Sequence, residues 1–176
     1  IYWDRQHWYS TSSVYPGYEN TSTNPCSEIA MQGGDSCRLI ALNLYKFVED
    51  PFTPKAKFNM KKFYQAAYEG QRLMDDLVDL EIEAIERILK KVANDEEPES
   101  IKQVEKETWE LLLKTGKEGR RTGLGFTALA DMVAALGYKY DSDESIEFIE
   151  KMMKEKCRAE FDCSIDMSLE RGSFIG

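Results

Sequence analysis

The pattern of apolar and polar positions changes character near residue 58. Before that point, apolar residues come in short runs between turn signals, which is typical of short strands. Tyr18–Thr23 is compatible with a strand, Met31–Gly34 with a turn, and Cys37–Val48 with a β-rich or mixed apolar run that the loop 49–54 closes. We therefore expect a strand–turn–strand layout with residues 24–28 at its tip.

After residue 58, apolar residues recur every three or four positions, which predicts helices. The first helix is expected to begin after an N-cap at Asn59 and to run to about Val92, with room for one break. A second helix is expected to open on a capping box formed by Ser100 and Gln103, and to stop before Gly116. By residue count, the chain is predicted to be mostly helical.

Two further helices are expected in the last third of the chain. Leu124–Leu136 is strongly apolar and predicts a helix that is buried on most sides. Asp141 and Glu144 form a second capping pattern, which opens a helix over about 142–169 that stops at Gly172. The periodicity assigns one apolar face of that helix to Ile146, Ile149, Met153, Cys157, Phe161 and Ile165. Cys157 and Cys163 are expected on different faces.

Three charged or glycine-containing patterns allow both a functional and a structural interpretation. The carboxylates of residues 75–83 share a helix face, but without a nearby histidine a solvated or interface face is favoured over a metal site. Arg120 and Arg121 are suited to a phosphate or to an acidic partner. The pair Gly123 and Gly125 lacks a clear preceding strand and a third glycine, so close helix packing is favoured over a dinucleotide site.

Composition and charge narrow the function classes. With 176 residues the chain is one domain by length, and its net charge of −9 argues against general nucleic-acid affinity. No apolar run approaches the roughly 20 residues of a membrane span. Four unevenly spaced cysteines favour a reducing, cytoplasmic setting over a secreted disulfide framework. The first residue is not Met and the last residues carry no charged tail, so we expect a piece of a longer polypeptide.

The most chemically informative stretch holds four reactive or polar side chains within fourteen positions: Asn24, Cys26, Glu28 and Cys37. Pro25 disfavours a helix at Asn24, so the segment should be extended or turned. In an extended chain, positions 24, 26 and 28 present an amide, a thiol and a carboxyl to the same side. This combination suits hydrogen-atom or proton transfer at a polar substrate. The alternative is a loop whose cysteines are small, buried, apolar residues.

The segment Asn24-Pro25-Cys26-Ser27-Glu28 resembles the finger-loop motif of the ribonucleotide reductase large subunit. The resemblance implies that Cys26 forms the thiyl radical that takes the 3′ hydrogen from a ribonucleotide. It also implies that Glu28 is the base on the 3′ hydroxyl, and that Asn24 binds and orients the substrate. Cys37 then matches one of two cysteines that are oxidised to a disulfide as the 2′ hydroxyl leaves.

The likeness continues through nearly the whole chain from about Asn20. The segments Ser36–Leu44, Gly119–Phe126, Leu136–Ser142 and Glu170–Phe174 resemble successive parts of the same family. The short gap between Cys26 and Cys37 is similar to the adenosylcobalamin-dependent (class II) branch. The implied fold is α/β, part of a ten-stranded α/β barrel around a finger loop. Residues 1–176 would form a partial catalytic barrel domain, with the finger loop and short strands in 1–57 and a helical section in 58–176.

The resemblance also implies a cofactor and partners. These are adenosylcobalamin, whose binding residues we do not identify in this chain, a ribonucleotide substrate, nucleotide effectors bound elsewhere, a thioredoxin-like reductant, the remainder of the reductase chain and a homodimer partner. No metal site, membrane or nucleic acid is expected. The cysteine that pairs with Cys37 should lie on an earlier strand, so we expect the isolated 176-residue chain to show no turnover. Two alternatives remain: a helical binding or scaffold module with incidental thiols, and a glycyl-radical or other thiyl enzyme.

Overall fold

A computed structural model describes residues 3–10, 16–27, 29–36 and 38–175 of the chain. The fold is mostly helical with short strands, as the sequence pattern predicts. In chain order, its elements are α1 (Trp3–Tyr9), β1 (Ser22–Thr23), β2 (Ala30–Met31), β3 (Leu39–Asn43), a 3-10 helix (Leu44–Phe47), β4 (Val48–Glu49), β5 (Lys57–Phe58), α2 (Met60–Ala93), α3 (Glu99–Gly119), β6 (Gly123–Thr127), α4 (Leu129–Ala135) and α5 (Asp143–Arg171).

The strands form three separate pairs within this part of the chain. β1 pairs antiparallel with β2, and β4 pairs antiparallel with β5. β1 lies within the predicted strand Tyr18–Thr23, and Thr23 lies opposite Ala30 across the predicted tip. The second strand of the pair is Ala30–Met31, so the prediction of a turn that includes Met31 is wrong. β3 pairs in parallel with β6, in a register that sets Leu39 opposite Gly123 and Asn43 opposite Thr127.

The parallel β3–β6 pair corrects the prediction of a helix over 124–136. Residues 123–127 are a strand, and α4 begins only at Leu129. Periodicity over a short apolar run does not distinguish a buried strand from a helix, and here the pairing with β3 decides the outcome. Gly123 is therefore explained by strand pairing and not by the close helix packing predicted from the sequence. A Cβ on Gly123 would lie 3.1 Å from Leu39 Cδ2 and 3.3 Å from the Arg38 carbonyl oxygen, so Gly123 permits close approach between strands.

The helix boundaries follow the sequence signals at some ends and not at others. Asn59 caps α2 as predicted, because its Oδ1 accepts a hydrogen bond of 2.9 Å from the Lys62 amide, and α2 then runs unbroken to Ala93. The predicted Ser100 cap is wrong: α3 begins at Glu99 after Pro98, and it continues through Gly116 to Gly119. The helix α5 is capped by Ser142 rather than Asp141.

The chain divides into two compact units, which are described one at a time. The first contains residues 1–37, 77–121 and 174–176; the second contains 38–76 and 122–173. The second unit holds a hydrophobic core whose fully or nearly fully buried members are Leu44, Phe47, Phe63, Met132, Val133 and Met152. Burial of each large apolar side chain contributes about 1.5–3 kcal/mol. A smaller cluster of Ala67, Met74, Leu124 and Ala159 lies in the same unit.

Polar side chains join α2 and α5 in that second unit at a constant sequence separation. The Tyr64 hydroxyl donates to Asp162, the Tyr68 hydroxyl donates to Asp166 over 2.7 Å, and Arg72 donates two hydrogen bonds of 2.8 and 2.7 Å to Glu170. Each of these pairs is 98 residues apart, so the two helices run parallel in a fixed register. We call this set of contacts the α2–α5 ladder.

The contacts of Arg171 and Arg120 decide between the two forms of the predicted acidic face, solvated or interface. Asp75 is buried and accepts a hydrogen bond of 2.5 Å from Arg171, which also donates to Asp76 over 2.6 Å. Asp79 pairs with Arg120 at 2.8 Å. The cluster therefore consists in part of paired carboxylates that hold helices together, and its first member is not solvated.

The apolar face predicted for α5 is correct at Ile149 and Met153, which pack against the core, and wrong farther along the helix. Phe161 and Ile165 are 70% and 58% exposed, whereas the buried positions of the helix are Ser145, Met152, Lys156, Ala159, Cys163 and Met167. The face that packs is the one that carries small residues and the ladder carboxylates. Cys157 is exposed and Cys163 is buried, which confirms that the two thiols lie on different faces.

Candidate active site: the finger hairpin

The predicted reactive segment lies at the tip of the β1–β2 pair, residues 22–31, which we call the finger hairpin. Its strands have only two residues each, and the Thr21 amide adds a hydrogen bond of 2.9 Å to the Met31 carbonyl at its base. An isolated two-stranded hairpin is at best marginally stable in water. The tip therefore depends on contacts beyond the two strands for a defined position.

Hydrogen bonds from Asn24 close the tip into a turn. The Ser27 amide donates to the Asn24 carbonyl over 3.0 Å, and the Asn24 amide donates to the Ile29 carbonyl over 3.1 Å. The Asn24 side-chain Oδ1 also accepts a hydrogen bond of 3.0 Å from the Ile29 amide. Pro25 suits the second position of such a turn because its φ is already fixed. Ser27 has a φ of 65°, in the left-handed region that costs a non-glycine residue about 1–2 kcal/mol.

The turn separates the environments of the predicted site residues. Asn24 is buried, with 5% of its surface exposed, whereas Cys26 is exposed. The geometry considered for an extended chain, with positions 24 and 26 presented together, therefore does not occur. Glu28 and Cys37 lie outside the described residues. The assignment of roles to Asn24, Cys26, Glu28 and Cys37 stays a prediction.

Residues before and after Cys37 make hydrogen bonds that involve the backbone. Before it, the Asp35 side chain accepts a hydrogen bond of 2.8 Å from the Ser36 amide. After it, Arg38 is buried and its carbonyl accepts a hydrogen bond of 3.1 Å from the Gly123 amide, immediately before β3 begins. The strand that pairs with β6 begins at Leu39, the residue after Arg38.

The end of α3 contacts the chain on both sides of the finger hairpin. Arg121 Nε lies 3.4 Å from Asp35 Oδ2, and the Arg121 guanidinium carbon lies 5.3 Å from the centre of the Tyr18 ring. A Cβ on Gly34 would lie 2.8 Å from Leu111 Cγ, so the backbone there lies against α3. Of the two roles left open for Arg120 and Arg121, the acidic partner within the chain is the one observed. Sequence reasoning missed Asp35 and Tyr18, because no local pattern links them to residue 121.

Two observations bear on metal or cofactor binding by the described residues. No group of three or more His, Cys, Asp or Glu side chains among them is placed to hold a metal ion. A groove of about 290 Å³ between α2 and α3 is lined by residues that include Val92, Lys102 and Lys106. That volume is at the small end of pockets for drug-sized ligands, and a corrin ring with its nucleotide tail is larger. This groove therefore does not fit adenosylcobalamin.

The other two cysteines lie on α5. Burial raises the pKa of the Cys163 thiol, and its side chain has no exposed surface. A buried thiol with a raised pKa is a poor nucleophile and a slow partner in thiol–disulfide exchange. Cys157 is exposed and serves as a comparison thiol in the experiments below. No helix in the described part of the chain is long and apolar enough to cross a lipid bilayer.

Two comparisons with known proteins, one with family profiles and one with individual proteins, match this chain to the same kind of enzyme. A profile of the ribonucleotide reductase barrel domain matches residues 11–176. A vitamin B12-dependent ribonucleoside-diphosphate reductase of Mycobacterium tuberculosis (strain ATCC 25618 / H37Rv) is 26% identical over 153 residues, which are 87% of this chain and 18% of that protein. The enzyme of the same name from Thermoplasma acidophilum is 30% identical over 153 residues, 87% of this chain and 16% of that protein. The chain thus spans less than a fifth of these relatives.

Proposed function

The chain belongs to the ribonucleotide reductase barrel-domain family, and on that premise we propose that it carries the radical cysteine of a ribonucleotide reductase. The observation that carries the proposal is the exposed thiol of Cys26 at the tip of the finger hairpin, inside the finger-loop motif. An exposed thiol on a turn is open to a substrate that approaches from outside the hairpin. The product would be a deoxyribonucleotide.

The first step would be hydrogen-atom transfer to Cys26. In its thiyl form, Cys26 takes the hydrogen atom from C3′ of the ribose, so that an S–H bond forms and a C3′–H bond breaks. The unpaired electron then lies on C3′. Glu28 accepts the proton of the 3′ hydroxyl as a general base.

The second step would be loss of the 2′ hydroxyl as water. Cys37 and a second cysteine, which we do not identify in this chain, give up two protons and two electrons and form a disulfide. One proton leaves with the 2′ hydroxyl as water, and the other proton with one electron forms the new C2′–H bond. The second electron goes to C3′, while Glu28 returns its proton to the 3′ oxygen. The hydrogen atom held on Cys26 returns to C3′, which restores the thiyl radical. A dithiol reductant of the thioredoxin type would then reduce the disulfide for the next turnover.

Asn24 would shape the tip and contact the substrate. Its Oδ1 accepts the Ile29 amide and its backbone carbonyl accepts the Ser27 amide, so it fixes the turn that displays Cys26. We propose in addition that its amide group orients a sugar hydroxyl. Because the residue is buried, the substrate would have to meet it inside the loop rather than on the surface.

The relatives named above are vitamin B12-dependent, and we propose the same dependence for the enzyme that this chain serves. Since the groove between α2 and α3 does not fit adenosylcobalamin, we assign the cofactor no ligand among the described residues. The steps above therefore begin from the thiyl form of Cys26. Nucleotide effectors, the rest of the reductase chain and a homodimer partner would bind through other regions. The division into a finger section, 1–57, and a helical section, 58–176, within one partial catalytic domain is part of the same proposal.

The competing hypothesis is a helical binding or scaffold module whose thiols are incidental. That hypothesis favours a Cys26 side chain buried in apolar packing. The exposure of Cys26 supports the enzyme proposal instead.

The test compares two single substitutions in the complete reductase that contains this chain. Cys26→Ser should lower deoxynucleotide formation by at least roughly 10³-fold, because a hydroxyl does not replace the thiol that reacts. Cys157→Ser, at an exposed thiol on α5, should leave the rate within about twofold of the wild type. Turnover by the Cys26→Ser enzyme at a rate near that of Cys157→Ser would overturn the proposal.

A further inference from the structure

We propose that Arg121 is a positioning residue that clamps the two legs of the finger hairpin to the end of α3. The legs are residues 18–21, which enter β1, and residues 32–36, which leave β2. The effect of the clamp on turnover rests on the proposed function, whereas the clamp itself is a statement about the described residues alone.

The backbone at the end of α3 fixes where Arg121 begins. Arg120 adopts the left-handed conformation, with φ 40° and ψ 44°, and its amide donates to the Gly116 carbonyl over 3.2 Å. This is the geometry of a helix C-terminus that turns sharply out of its axis. Arg121 therefore leaves the helix in a defined direction, toward the hairpin base.

The leg that leaves β2 is held through a buried carboxylate. The Asp35 side chain is only 4% exposed, and Arg121 Nε lies 3.4 Å from its Oδ2. A carboxylate with so little contact with water requires a cation or several hydrogen-bond donors nearby. Arg121 supplies the cation, and the Ser36 amide supplies a donor at 2.8 Å. Removing the charge of Arg121 would leave Asp35 in an unfavourable environment.

The same leg is packed against α3 one residue earlier. Gly34 has a φ of +77°, and a Cβ there would lie 2.8 Å from Leu111 Cγ and 3.2 Å from Thr115 Oγ1. The absence of a side chain therefore lets the backbone reach the helix surface. This contact brings Asp35 within range of Arg121.

The leg that enters β1 is held by the other face of the same guanidinium. The Arg121 Cζ atom lies 5.3 Å from the centre of the Tyr18 ring, within the range of a cation–π contact. A Cβ on Gly119 would lie 3.5 Å from Tyr18 Cε1, so the ring also rests on the last turn of α3. One side chain thus contacts both legs of a hairpin whose strands are two residues long and need such support.

The test uses the complete reductase and begins with backbone hydrogen exchange, which does not depend on catalysis. Arg121→Gln and Asp35→Asn should each speed exchange at the amides of Thr21, Asn24 and Ile29 by roughly tenfold or more, since each removes the buried ion pair. Exchange rates in the double variant should exceed those in either single variant by no more than about twofold, because both substitutions remove the same contact. Lys117→Gln is the matched control. Lys117 is a cation in the last turn of α3 that pairs with Glu86 at 2.7 Å, and its loss should leave these amides unchanged.

The kcat and KM of the same variants test whether Arg121 positions the tip of the finger hairpin. Arg121→Gln and Asp35→Asn should lower kcat by roughly 10- to 100-fold with KM nearly unchanged, because misplacement of a reacting group by about 1 Å is costly in the transition state. Arg121→Lys keeps the charge but not the planar stack on Tyr18. Its kcat should therefore lie between the kcat of the wild type and that of Arg121→Gln. If Arg121→Gln fails to fold, Asp35→Asn and Arg121→Lys decide the question.

Unchanged amide exchange in Arg121→Gln and Asp35→Asn would overturn the clamp. Faster exchange with kcat equal to that of Lys117→Gln would overturn the positioning role. The Cys26→Ser enzyme separates this inference from the proposed function: if Cys26→Ser still turns over, the proposed function fails, while the exchange data still decide whether Arg121 holds the hairpin.

Discussion

Gly34 shows how much of the finger hairpin's position depends on single residues. Its φ is positive, and a Cβ at this position would lie only 2.8 Å from Leu111 Cγ, which leaves no room for a side chain. The neighbouring Gly33 has no such constraint, since a Cβ there would meet only Thr21 Oγ1 at 3.9 Å. The two adjacent glycines therefore form a natural pair for comparison.

We expect Gly34→Ala to weaken the hairpin and Gly33→Ala to leave it intact. The first substitution adds backbone strain of about 1–3 kcal/mol and a steric overlap with Leu111. Exchange at the Thr21 and Ile29 amides should therefore be faster in Gly34→Ala than in Gly33→Ala. Equal exchange in the two variants would show that the leg is not packed on α3.

At the same scale, the sequence predicted the backbone of the tip better than the placement of its side chains. Pro25 predicts a non-helical segment, and Cys26 lies on a turn. The separation of Asn24 from Cys26 in exposure was not predictable from alternation, because it follows from the hydrogen bond between Asn24 Oδ1 and the Ile29 amide. That contact depends on the turn having already formed. Arg121 contacts Asp35 across 86 residues for reasons that only the tertiary structure provides.

Among the helices, the α2–α5 ladder explains which face of α5 packs. The carboxylates of Asp162, Asp166 and Glu170 meet partners on α2 at a separation of 98 residues. Periodicity predicts an apolar stripe of which Ile149 and Met153 do pack, whereas Ala159, Cys163 and Met167 are the buried positions along the ladder. Apolar periodicity does not predict a face whose packing is made of paired charges and small side chains.

The Tyr68–Asp166 contact gives the ladder a measurable pH dependence. The hydrogen bond to Asp166, together with burial and the charge of the carboxylate, raises the pKa of Tyr68 from 10.0 to about 12. Because the pKa is higher in the folded state than in the unfolded chain, the contribution of this contact to stability is complete below pH 10. That contribution is lost as the pH rises through about 12.

Asp166→Asn should return the pKa of Tyr68 toward 10, since an amide does not repel the tyrosinate as a carboxylate does. Ultraviolet titration of tyrosinate, with Tyr68→Phe to identify the signal, measures the change. An unchanged titration in Asp166→Asn would mean that Asp166 does not control Tyr68.

Element boundaries were predictable where a cap or a breaker acts locally. Asn59 at the start of α2 and Gly172 at the end of α5 both serve the predicted roles. The strand β6 was not predictable, because its partner β3 lies more than 80 residues earlier in the chain. Ser100 is not the cap because α3 already begins at Glu99, with Pro98 at the N-cap position.

At the scale of the whole chain, membership of the reductase family identifies the short strands as parts of a barrel domain. The parallel β3–β6 pair lies within the residues that match the barrel domain, and Cys37 is two residues before the start of β3. The chain spans 18% and 16% of the two relatives named above, so the complete enzyme is the proper subject for every activity measurement.

The most direct test of the central claim is the fate of the hydrogen at C3′ of the substrate. The complete reductase would be followed in single turnovers with ribonucleotide that carries hydrogen or deuterium at C3′. We expect slower reduction of the deuterated substrate by the wild type and by Cys157→Ser, and no reduction of either by Cys26→Ser. Equal rates with both substrates under chemistry-limited conditions, or reduction by Cys26→Ser, would contradict the assignment of the radical to Cys26.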